Sequence, residues 1–192
     1  KADIRKFFAS IDHAVLIKHL QAYIPDLDLM KLLQTIILSF STAPGKGLPL
    51  GNLTSQLFCN VYMNSFDQFV KHELKVPHYV RYADDFVLLS HDRTWLEKQV
   101  EPMRNFLREE LKLEIHPDKL WIKTLASGAD FLGWVHFPYH RVLRRSTKLR
   151  AQRAMSMGTL QGASSYIGML EHGNARKLRD DLLNRYWIEH TE

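Results

Sequence analysis

The sequence has little cysteine and no long apolar run, and both absences exclude classes of protein. Cys59 is the single cysteine among 192 residues, which rules out an intramolecular disulfide and disfavours a cysteine-based metal site. No stretch approaches the roughly 20 apolar residues that span a bilayer, and no signal peptide opens the chain, so no membrane partner is expected. A reducing, cytoplasmic setting is the expectation.

Other signals are also missing. The 10 histidines show no convincing metal-ligand spacing, and the chain has no internal repeat or low-complexity segment. A composition of 45% hydrophobic and 24% charged residues is ordinary for a globular protein. The length allows one substantial core, or one core with a small appended lobe.

Basic charge is present in moderate excess and is unevenly distributed. The net charge is +5 at pH 7, which suggests a polyanionic partner. The segment RVLRRSTKLRAQR at 141–153 contains basic residues and no acidic one. It could contact several phosphates, or it could be the solvated face of a basic helix.

Apolar spacing predicts an α+β fold with an antiparallel sheet covered by helices. Strands are predicted near 1–4, 78–82, 86–89, 113–116, 120–123 and 130–136, with a second hairpin at 135–142. Helices are predicted at 13–22, 27–40, from Thr54 or Ser55 to about Leu74, at 93–111, and in two or three pieces after Thr147 with breaks near 158–162 and 173. The shift in composition at about 141–146 is the best domain boundary.

Tyr82-Ala83-Asp84-Asp85 places two adjacent carboxylates between two apolar segments that are typical of strands. Aspartate is common in turns, so the pair alone could be a polar hairpin turn. Two carboxylates inside apolar sequence are otherwise costly unless a cation binds them, and Mg²⁺ or Mn²⁺ prefers oxygen ligands. Because side chains alternate along a strand, one aspartate can face a cleft while the other supports it.

Asp3 lies far from this pair in sequence, on the predicted first strand. Antiparallel pairing could bring that strand beside the Asp84 hairpin, and the two carboxylates could then jointly hold two divalent ions. Two such ions activate an attacking oxygen and stabilise a leaving oxygen in phosphoryl transfer. Asp12 is interpreted as structural, as a cap of the helix that begins near His13.

Five motifs in order along the chain resemble the palm of a reverse transcriptase. They are Asp3 with Phe8 five residues later, GLPLGNLTSQ at 47–56, YADD at 82–85, LEIHPDK at 113–119 and FLGW at 131–134. The resemblance implies a nucleotidyltransferase that copies an RNA template from a DNA or RNA primer, with dNTPs and two Mg²⁺ (or Mn²⁺) ions. It implies a palm at 1–143 and the start of a helical thumb at 144–192.

The segment from Gly51 to Gln56 is most similar to reverse transcriptases of diversity-generating retroelements, with group II intron relatives next. That branch implies a bacterial or phage-borne enzyme with a small basic accessory protein as partner. Relatives carry a fingers region before the first motif, whereas two residues precede Asp3 here. We therefore expect a fragment with the fingers largely absent, whose activity alone is open.

The resemblance also assigns roles. Asp3, Asp84 and the Ile4 carbonyl are expected to bind metal, with Asp85 as a supporting acid and a less direct ligand. Lys119 is the candidate that protonates or neutralises the pyrophosphate leaving group, against the alternative of an ordinary exposed lysine. Phe8 is expected to exclude a 2′-hydroxyl as a steric gate, although it could be an ordinary core aromatic.

The remaining roles concern nucleotide, primer and phosphate contacts. Leu50 stands where many relatives have glutamine, which implies looser selection against mismatches or neutral drift. Gly51 would let backbone approach the nucleotide or template. Ser55 and Gln56 could contact substrate or cap a helix. The primer grip is expected at Phe131, Leu132, Gly133 and Trp134, of which Trp134 could be core alone. Candidate phosphate contacts are Arg144, Arg145, Lys148 and Arg150.

Two other classes of function compete with polymerisation. A silent or truncated polymerase-like module could bind RNA and an accessory protein, but the intact Asp3, Asp84 and Asp85 argue against silence. A nucleotide cyclase with a palm domain would share the sheet and the metal chemistry. It gives no reason for FLGW or for the GNLTSQ segment.

Overall fold

A computed structural model describes residues 1–156, 160–171, 176–177, 179–181 and 183–184. The chain divides into two compact units after Ile122. Each unit contains one three-stranded antiparallel sheet. The α+β class expected from the sequence is confirmed. The assignment of 1–143 to a palm and of 144–192 to a thumb stays a prediction.

The first unit, Lys1–Ile122, packs five helices around a small sheet. The strands are β1 (Ala2–Asp3), β2 (His78–Tyr82) and β3 (Asp85–Leu89), in the order β1-β3-β2. The helices are α1 (Phe7–Ser10), α2 (His13–Gln21), α3 (Leu27–Leu38), α4 (Leu53–Gln68) and α5 (Arg93–Glu109). A π-helical turn, Phe69–Glu73, extends α4, and a 3₁₀ turn covers Pro117–Lys119.

Side-chain caps explain where several of these helices begin. Asp12 accepts hydrogen bonds from the amides of Ala14 and Val15 at the start of α2, as the sequence predicted. Asp26 and Asp92 cap α3 and α5 in the same way. The prediction that Thr54 or Ser55 caps α4 is wrong, because Asn52 occupies the N-cap position.

Helix α4 supplies the centre of the core. Phe66 is fully buried and its ring lies 5.2 Å from that of Phe86 on β3 and 6.4 Å from that of Tyr79 on β2. Tyr62 is also buried, and its hydroxyl donates to the carbonyl of Leu111 at 2.5 Å. The Phe66 contacts pack the β2–β3 hairpin, which carries the YADD motif, against α4.

The second unit begins at Lys123. Its strands are β4 (Ala129–Phe131), β5 (Trp134–His136) and β6 (Arg141–Leu143), in that order, and its helices are α6 (Arg145–Ser156) and α7 (Leu160–Glu171). A 3₁₀ turn, Leu125–Ser127, precedes β4. The small core contains Trp134, Ala151 and Leu170.

Several predicted elements differ from the structure. The segment 113–116 makes one isolated bridge, Ile4 with Ile115, and 120–123 forms no strand. The predicted strand at 130–136 is a hairpin that turns at Leu132 and Gly133. The predicted break near 173 lies outside the described residues, as does the start of the break near 158. Among the residues described, no helix has the length and apolarity to cross a membrane.

Candidate active site

Strand pairing brings the Asp3 and Asp84 segments together. β1 runs antiparallel to β3, and the register pairs Ala2 with Phe86 and Asp3 with Asp85. The amide of Ile4 donates to the carbonyl of Asp84 at 3.1 Å, which ties the YADD turn to the residue that follows Asp3. The predicted pairing of the first strand beside the Asp84 hairpin is therefore confirmed.

The charges of this cluster act on one another. Burial raises the pKa of the Asp84 carboxyl above its ordinary value, and the nearby charges of Asp3 and Asp85 raise it further, against a lowering by Lys119. The ammonium of Lys119 donates to both carboxylate oxygens of Asp3, each at 3.1 Å. Asp3, Asp84 and Lys119 thus form one electrostatic unit in which an exposed cation partly offsets two acids.

Asp85 has a cationic partner of its own. Its carboxylate accepts a hydrogen bond from Lys1 Nζ at 2.6 Å, in an ion pair whose side chains are 11% and 19% exposed. Asp84 lies in the turn, whereas Asp85 begins β3 directly opposite Asp3. In the part of the chain that the structure describes, no group of three or more histidine, cysteine or acidic side chains could hold a metal. The predicted metal role of Asp85 stays a prediction.

The donor set at Asp3 and Asp84 fits a hard divalent cation. Both groups offer carboxylate oxygen, which is the ligand type of Mg²⁺ and Mn²⁺. Burial is the largest cause of the raised pKa of Asp84, and repulsion by the charges of Asp3 and Asp85 adds to it, so the anionic carboxylate is disfavoured while no cation is bound. A divalent cation would relieve that repulsion, and two protein carboxylates with water in the remaining positions are typical of magnesium sites.

The YADD turn itself has an unusual backbone. Ala83 has φ +51°, in the left-handed region that non-glycine residues seldom adopt. Its carbonyl accepts a hydrogen bond from Arg81 Nη1 at 2.9 Å. Arg81 also donates two hydrogen bonds to Asp67 of α4, from Nε to Oδ1 at 2.8 Å and from Nη2 to Oδ2 at 2.6 Å. Neither Arg81 nor Asp67 was predicted from the sequence to act at this site.

The loop that carries the GLPLGNLTSQ motif is hydrogen-bonded to the start of the chain. The amide of Leu48 donates to the carbonyl of Phe8, and the amide of Gly47 donates to that of Ile11, both at 2.8 Å. His13 Nε2 donates to the carbonyl of Gly47 at 2.7 Å. The candidate gate residue Phe8 and the candidate nucleotide loop are therefore linked through backbone.

The predicted nucleotide contacts differ in exposure. Phe8 is half-buried, and its ring meets that of Phe7 edge-on with centroids 5.4 Å apart. Leu50 is 77% exposed, and Gly51 beside it has φ +92°, a conformation that favours glycine. Ser55 is buried within the first turn of α4, whereas Gln56 is exposed. In this structure the Ser55 hydroxyl is not presented to solvent.

Comparison with known proteins agrees with this geometry. The profile of the family described as "Reverse transcriptase (RNA-dependent DNA polymerase)" matches residues 1–136, well over half of the chain. The chain belongs to the reverse transcriptase family. The match covers the candidate site and extends through the β4–β5 hairpin.

The individual relatives of this chain are distant. It is 26% identical to Protein YkfC of Escherichia coli (strain K12), over 88% of the chain and 53% of YkfC. It is 23% identical to the group II intron-encoded protein LtrA of Lactococcus lactis subsp. cremoris, over 85% of the chain and 38% of LtrA. A putative COX1/OXI3 intron 2 protein of Saccharomyces cerevisiae is 21% identical, over 82% of the chain and 26% of that protein. The chain thus spans about half, or less, of these relatives.

The second unit of the chain carries the predicted primer-grip residues. Leu132 and Gly133 form the two-residue turn between β4 and β5, with φ +52° and +83°. Leu132 is exposed, Phe131 is half-buried, and Trp134 is buried in the small core beneath the guanidinium of Arg141. Burial of Trp134 accords with its interpretation as a core residue. The primer-grip role stays a prediction.

The basic residues near α6 have different surroundings. Arg144 Nε donates to Asp130 at 2.8 Å, so this guanidinium already has an acidic partner. Arg145, Lys148 and Arg150 are exposed on α6. These three exposed residues could therefore contact phosphate, whereas Arg144 would first have to break or share its ion pair with Asp130.

Proposed function

We propose that this chain carries the polymerase centre of an RNA-directed DNA polymerase, which adds deoxynucleotides to a primer 3′ end by a two-metal mechanism. The observation that carries the proposal is the convergence of Asp3, Asp84 and Lys119, supported by membership of the reverse transcriptase family. The chain spans only part of its relatives, so we propose further that it is a fragment of a larger enzyme.

Asp3 and Asp84 would hold the metal, together with the carbonyl of Ile4, and Mg²⁺ fits this donor set. When bound, the two ions would supply activation of the primer 3′ oxygen and stabilisation of the leaving oxygen. The carboxylates need not accept a proton or attack substrate. Their task is to place negative charge at one end of the sheet, which the pairing of β1 with β3 and the hydrogen bond between Ile4 and Asp84 support.

Lys119 would act on the leaving group. Its ammonium lies on the Asp3 carboxylate and its side chain is 54% exposed, so it could swing toward pyrophosphate without loss of core packing. A cation there would neutralise or protonate the departing oxygen. When it leaves Asp3, it also frees both carboxylate oxygens for metal.

Phe8 would exclude the ribose 2′-hydroxyl. Its half-buried ring is held by the neighbouring Phe7 ring and by the hydrogen bond from Leu48 to its carbonyl, which supports a fixed steric gate. We expect Phe8→Ala to increase ribonucleotide incorporation while some deoxynucleotide incorporation remains. A single-nucleotide extension assay with dNTP and rNTP measures this ratio, and an unchanged ratio would refute the gate.

Contacts to the nucleotide or template would come from Leu50, Gly51 and Gln56. All three are exposed, on or just after the loop that carries the GLPLGNLTSQ motif. The partners of the whole enzyme would be an RNA template, a DNA or RNA primer and dNTPs, with Arg145, Lys148 and Arg150 as phosphate contacts. A small basic accessory protein and a bacterial or phage-borne, cytoplasmic setting belong to the proposed diversity-generating branch. The named relatives include a group II intron protein and do not point to the diversity-generating branch. The assignment to that branch therefore rests on the Gly51–Gln56 segment alone.

Primer extension on an RNA template tests the proposal. The full-length protein that contains this chain should extend a primer with Mg²⁺, and Asp84→Ala should reduce the rate by about three orders of magnitude or more, because a metal ligand is lost. Asp118→Ala, an exposed aspartate one residue from Lys119, is the matched control and should extend normally. Metal-dependent synthesis that survives Asp84→Ala would contradict the mechanism. RNA binding without synthesis by the unmutated protein would indicate the silent module instead.

A further inference from the structure

A partly buried polar cluster outside the carboxylate site holds the YADD turn. It consists of Asp67 at the end of α4, Tyr79 and Arg81 on β2, and the carbonyl of Ala83. We call it the turn clamp. Tyr79 and Arg81 are two residues apart on one strand, so both side chains lie on the face that meets α4.

The contacts of the turn clamp use three nitrogens of one guanidinium. Two of them bind the two oxygens of Asp67, at 2.8 and 2.6 Å, and the third donates to the carbonyl of Ala83 at 2.9 Å. The Tyr79 hydroxyl donates to Asp67 at 2.7 Å. The side chain of Arg81 is 8% exposed and that of Asp67 is 27% exposed, so these bonds are largely shielded from water. Shielded, charge-assisted and bidentate bonds are the strong ones.

The turn needs such support. Ala83 with φ +51° costs about 1–2 kcal/mol relative to ordinary backbone, and such conformations persist only where the surroundings enforce them. The clamp holds the Ala83 carbonyl from the α4 side, and the amide of Ile4 holds the next carbonyl, that of Asp84, from the β1 side at 3.1 Å. The backbone that carries the Asp84 carboxylate is thus fixed at two consecutive carbonyls.

We propose that Arg81 and Asp67 are positioning residues that set the Asp84 carboxylate against Asp3 for joint metal binding. The proposal rests on the proposed function for its metal, whereas the mechanical part, control of the turn by the clamp, stands on the geometry alone. Neither residue is one of the proposed metal ligands. Lysine cannot replace arginine here, because a single ammonium cannot bind Asp67 side-on and reach the Ala83 carbonyl in the same plane.

The first measurement is Mn²⁺ affinity of the chain, by titration calorimetry or by the electron paramagnetic resonance of free Mn²⁺. Arg81→Lys and Asp67→Asn should each weaken binding about tenfold, the lower end of the range for residues that orient metal ligands. The double variant should cost no more than the worse single variant, because both substitutions open one clamp. Arg93→Lys is the control. Arg93 also pairs with an acid, Glu97 at 2.8 Å, but both of these side chains on α5 are exposed. This variant should bind Mn²⁺ with normal affinity.

The second measurement needs no metal. The amide of Ile4 reports on the turn, because it donates to Asp84. Its hydrogen exchange should be about tenfold faster in Arg81→Lys and in Asp67→Asn than in Arg93→Lys, as expected when a bond to a charged group is lost. Circular dichroism would verify that each variant is folded. If Arg81→Lys does not fold, Asp67→Asn still tests the clamp, because this substitution keeps the side-chain volume.

The outcomes separate the two proposals. Normal Mn²⁺ affinity in folded clamp variants would overturn the positioning role, and unchanged exchange at Ile4 would overturn the mechanical part as well. If the unmutated chain binds no Mn²⁺, the proposed metal function fails, while faster exchange at Ile4 would still support the clamp. In the full-length polymerase, a fall in kcat with little change in KM for dNTP is expected from misplacement of Asp84, and a rise in KM alone would contradict it.

Discussion

Two hairpins in this molecule both close with a two-residue turn, and they differ in what that turn presents. The β2–β3 hairpin turns through Ala83 and Asp84, and the β4–β5 hairpin turns through Leu132 and Gly133. The first turn residue has nearly the same φ in both, +51° at Ala83 and +52° at Leu132. Two-residue turns of this kind favour glycine and asparagine, so a non-glycine residue at that position carries strain in each hairpin.

The second turn residue distinguishes them. In the β4–β5 hairpin it is Gly133, and a Cβ there would lie 3.0 Å from Met169 and 3.3 Å from Thr147. In the β2–β3 hairpin it is Asp84, a partly exposed acid beside Asp3. One turn is shaped for close packing against helices, and the other presents charge. The second arrangement needs external support, which the turn clamp of Arg81 and Asp67 supplies.

The largest effect is expected from a methyl group on the packed turn. Gly133→Ala places a Cβ against Met169 and Thr147 and forces φ +83° on alanine, so the free energy of unfolding should fall by about 1–3 kcal/mol. Urea unfolding followed by the fluorescence of Trp134 and the other tryptophans measures the loss. Gly45→Ala is the control for the backbone cost alone, because it also has positive φ but open space around its Cβ.

If Gly133→Ala were no more destabilising than Gly45→Ala, close packing of the β4–β5 turn would not matter for stability. The contrast drawn between the two hairpins would then rest on charge alone.

A smaller effect, with opposite sign, is expected at the charged turn. The pKa of Asp84 is raised in the folded chain by burial and by Asp3 and Asp85, so its charged form is disfavoured by folding. The free energy of unfolding is therefore higher at low pH, where Asp84 is neutral. This extra stability is lost as the pH rises through the pKa that Asp84 has in the folded chain. Asp84→Asn should therefore stabilise the chain at pH 7, by less than about 1 kcal/mol because water screens a partly exposed carboxylate.

Thermal melting as a function of pH measures this gain without metal. It should vanish below the ordinary aspartate value of 3.8, where Asp84 is neutral in both states. Asp85→Asn is the matched comparison and should destabilise, because it removes the acidic partner of Lys1, whose side chain is 11% exposed. A gain at Asp84→Asn that persisted in acid would exclude the charge of the Asp84 carboxylate as its cause.

How much of this could be predicted from sequence depends on the range of the interaction. The strands of the β2–β3 hairpin, α2 with its Asp12 cap and the pairing of the first strand were predictable, because periodicity and local capping encode them. The convergence of Asp3 with Asp84 also followed from antiparallel pairing. Lys119 on Asp3 was not predicted as an ion pair, since the two residues are 116 positions apart.

The turn clamp was missed for a related reason. In the sequence alone, Arg81 is typical of an exposed strand residue and Asp67 of a polar position on a helix. The two are 14 residues apart, and no local pattern predicts that they contact each other. One signal was available: an arginine inside an apolar strand requires an acidic partner, and an aspartate on the buried helix is the natural candidate. The segments 113–116 and 120–123 were mistaken for strands because short apolar alternation does not reveal whether a neighbouring edge is available.

The smallest effect is expected where the two hairpins are most alike. Ala83→Gly relieves about 1 kcal/mol of left-handed strain, but glycine adds about 0.4–1 kcal/mol of entropy to the unfolded chain. The substitution also removes a methyl group that packs partly against the core. These contributions nearly cancel, so the free energy of unfolding should change by no more than about 0.5 kcal/mol. Urea unfolding beside Gly133→Ala measures the difference.

A stabilisation of a full kcal/mol would mean that Ala83 is strained without compensation, whereas a large loss would mean that its methyl packing, and not the clamp, holds the turn that presents Asp84.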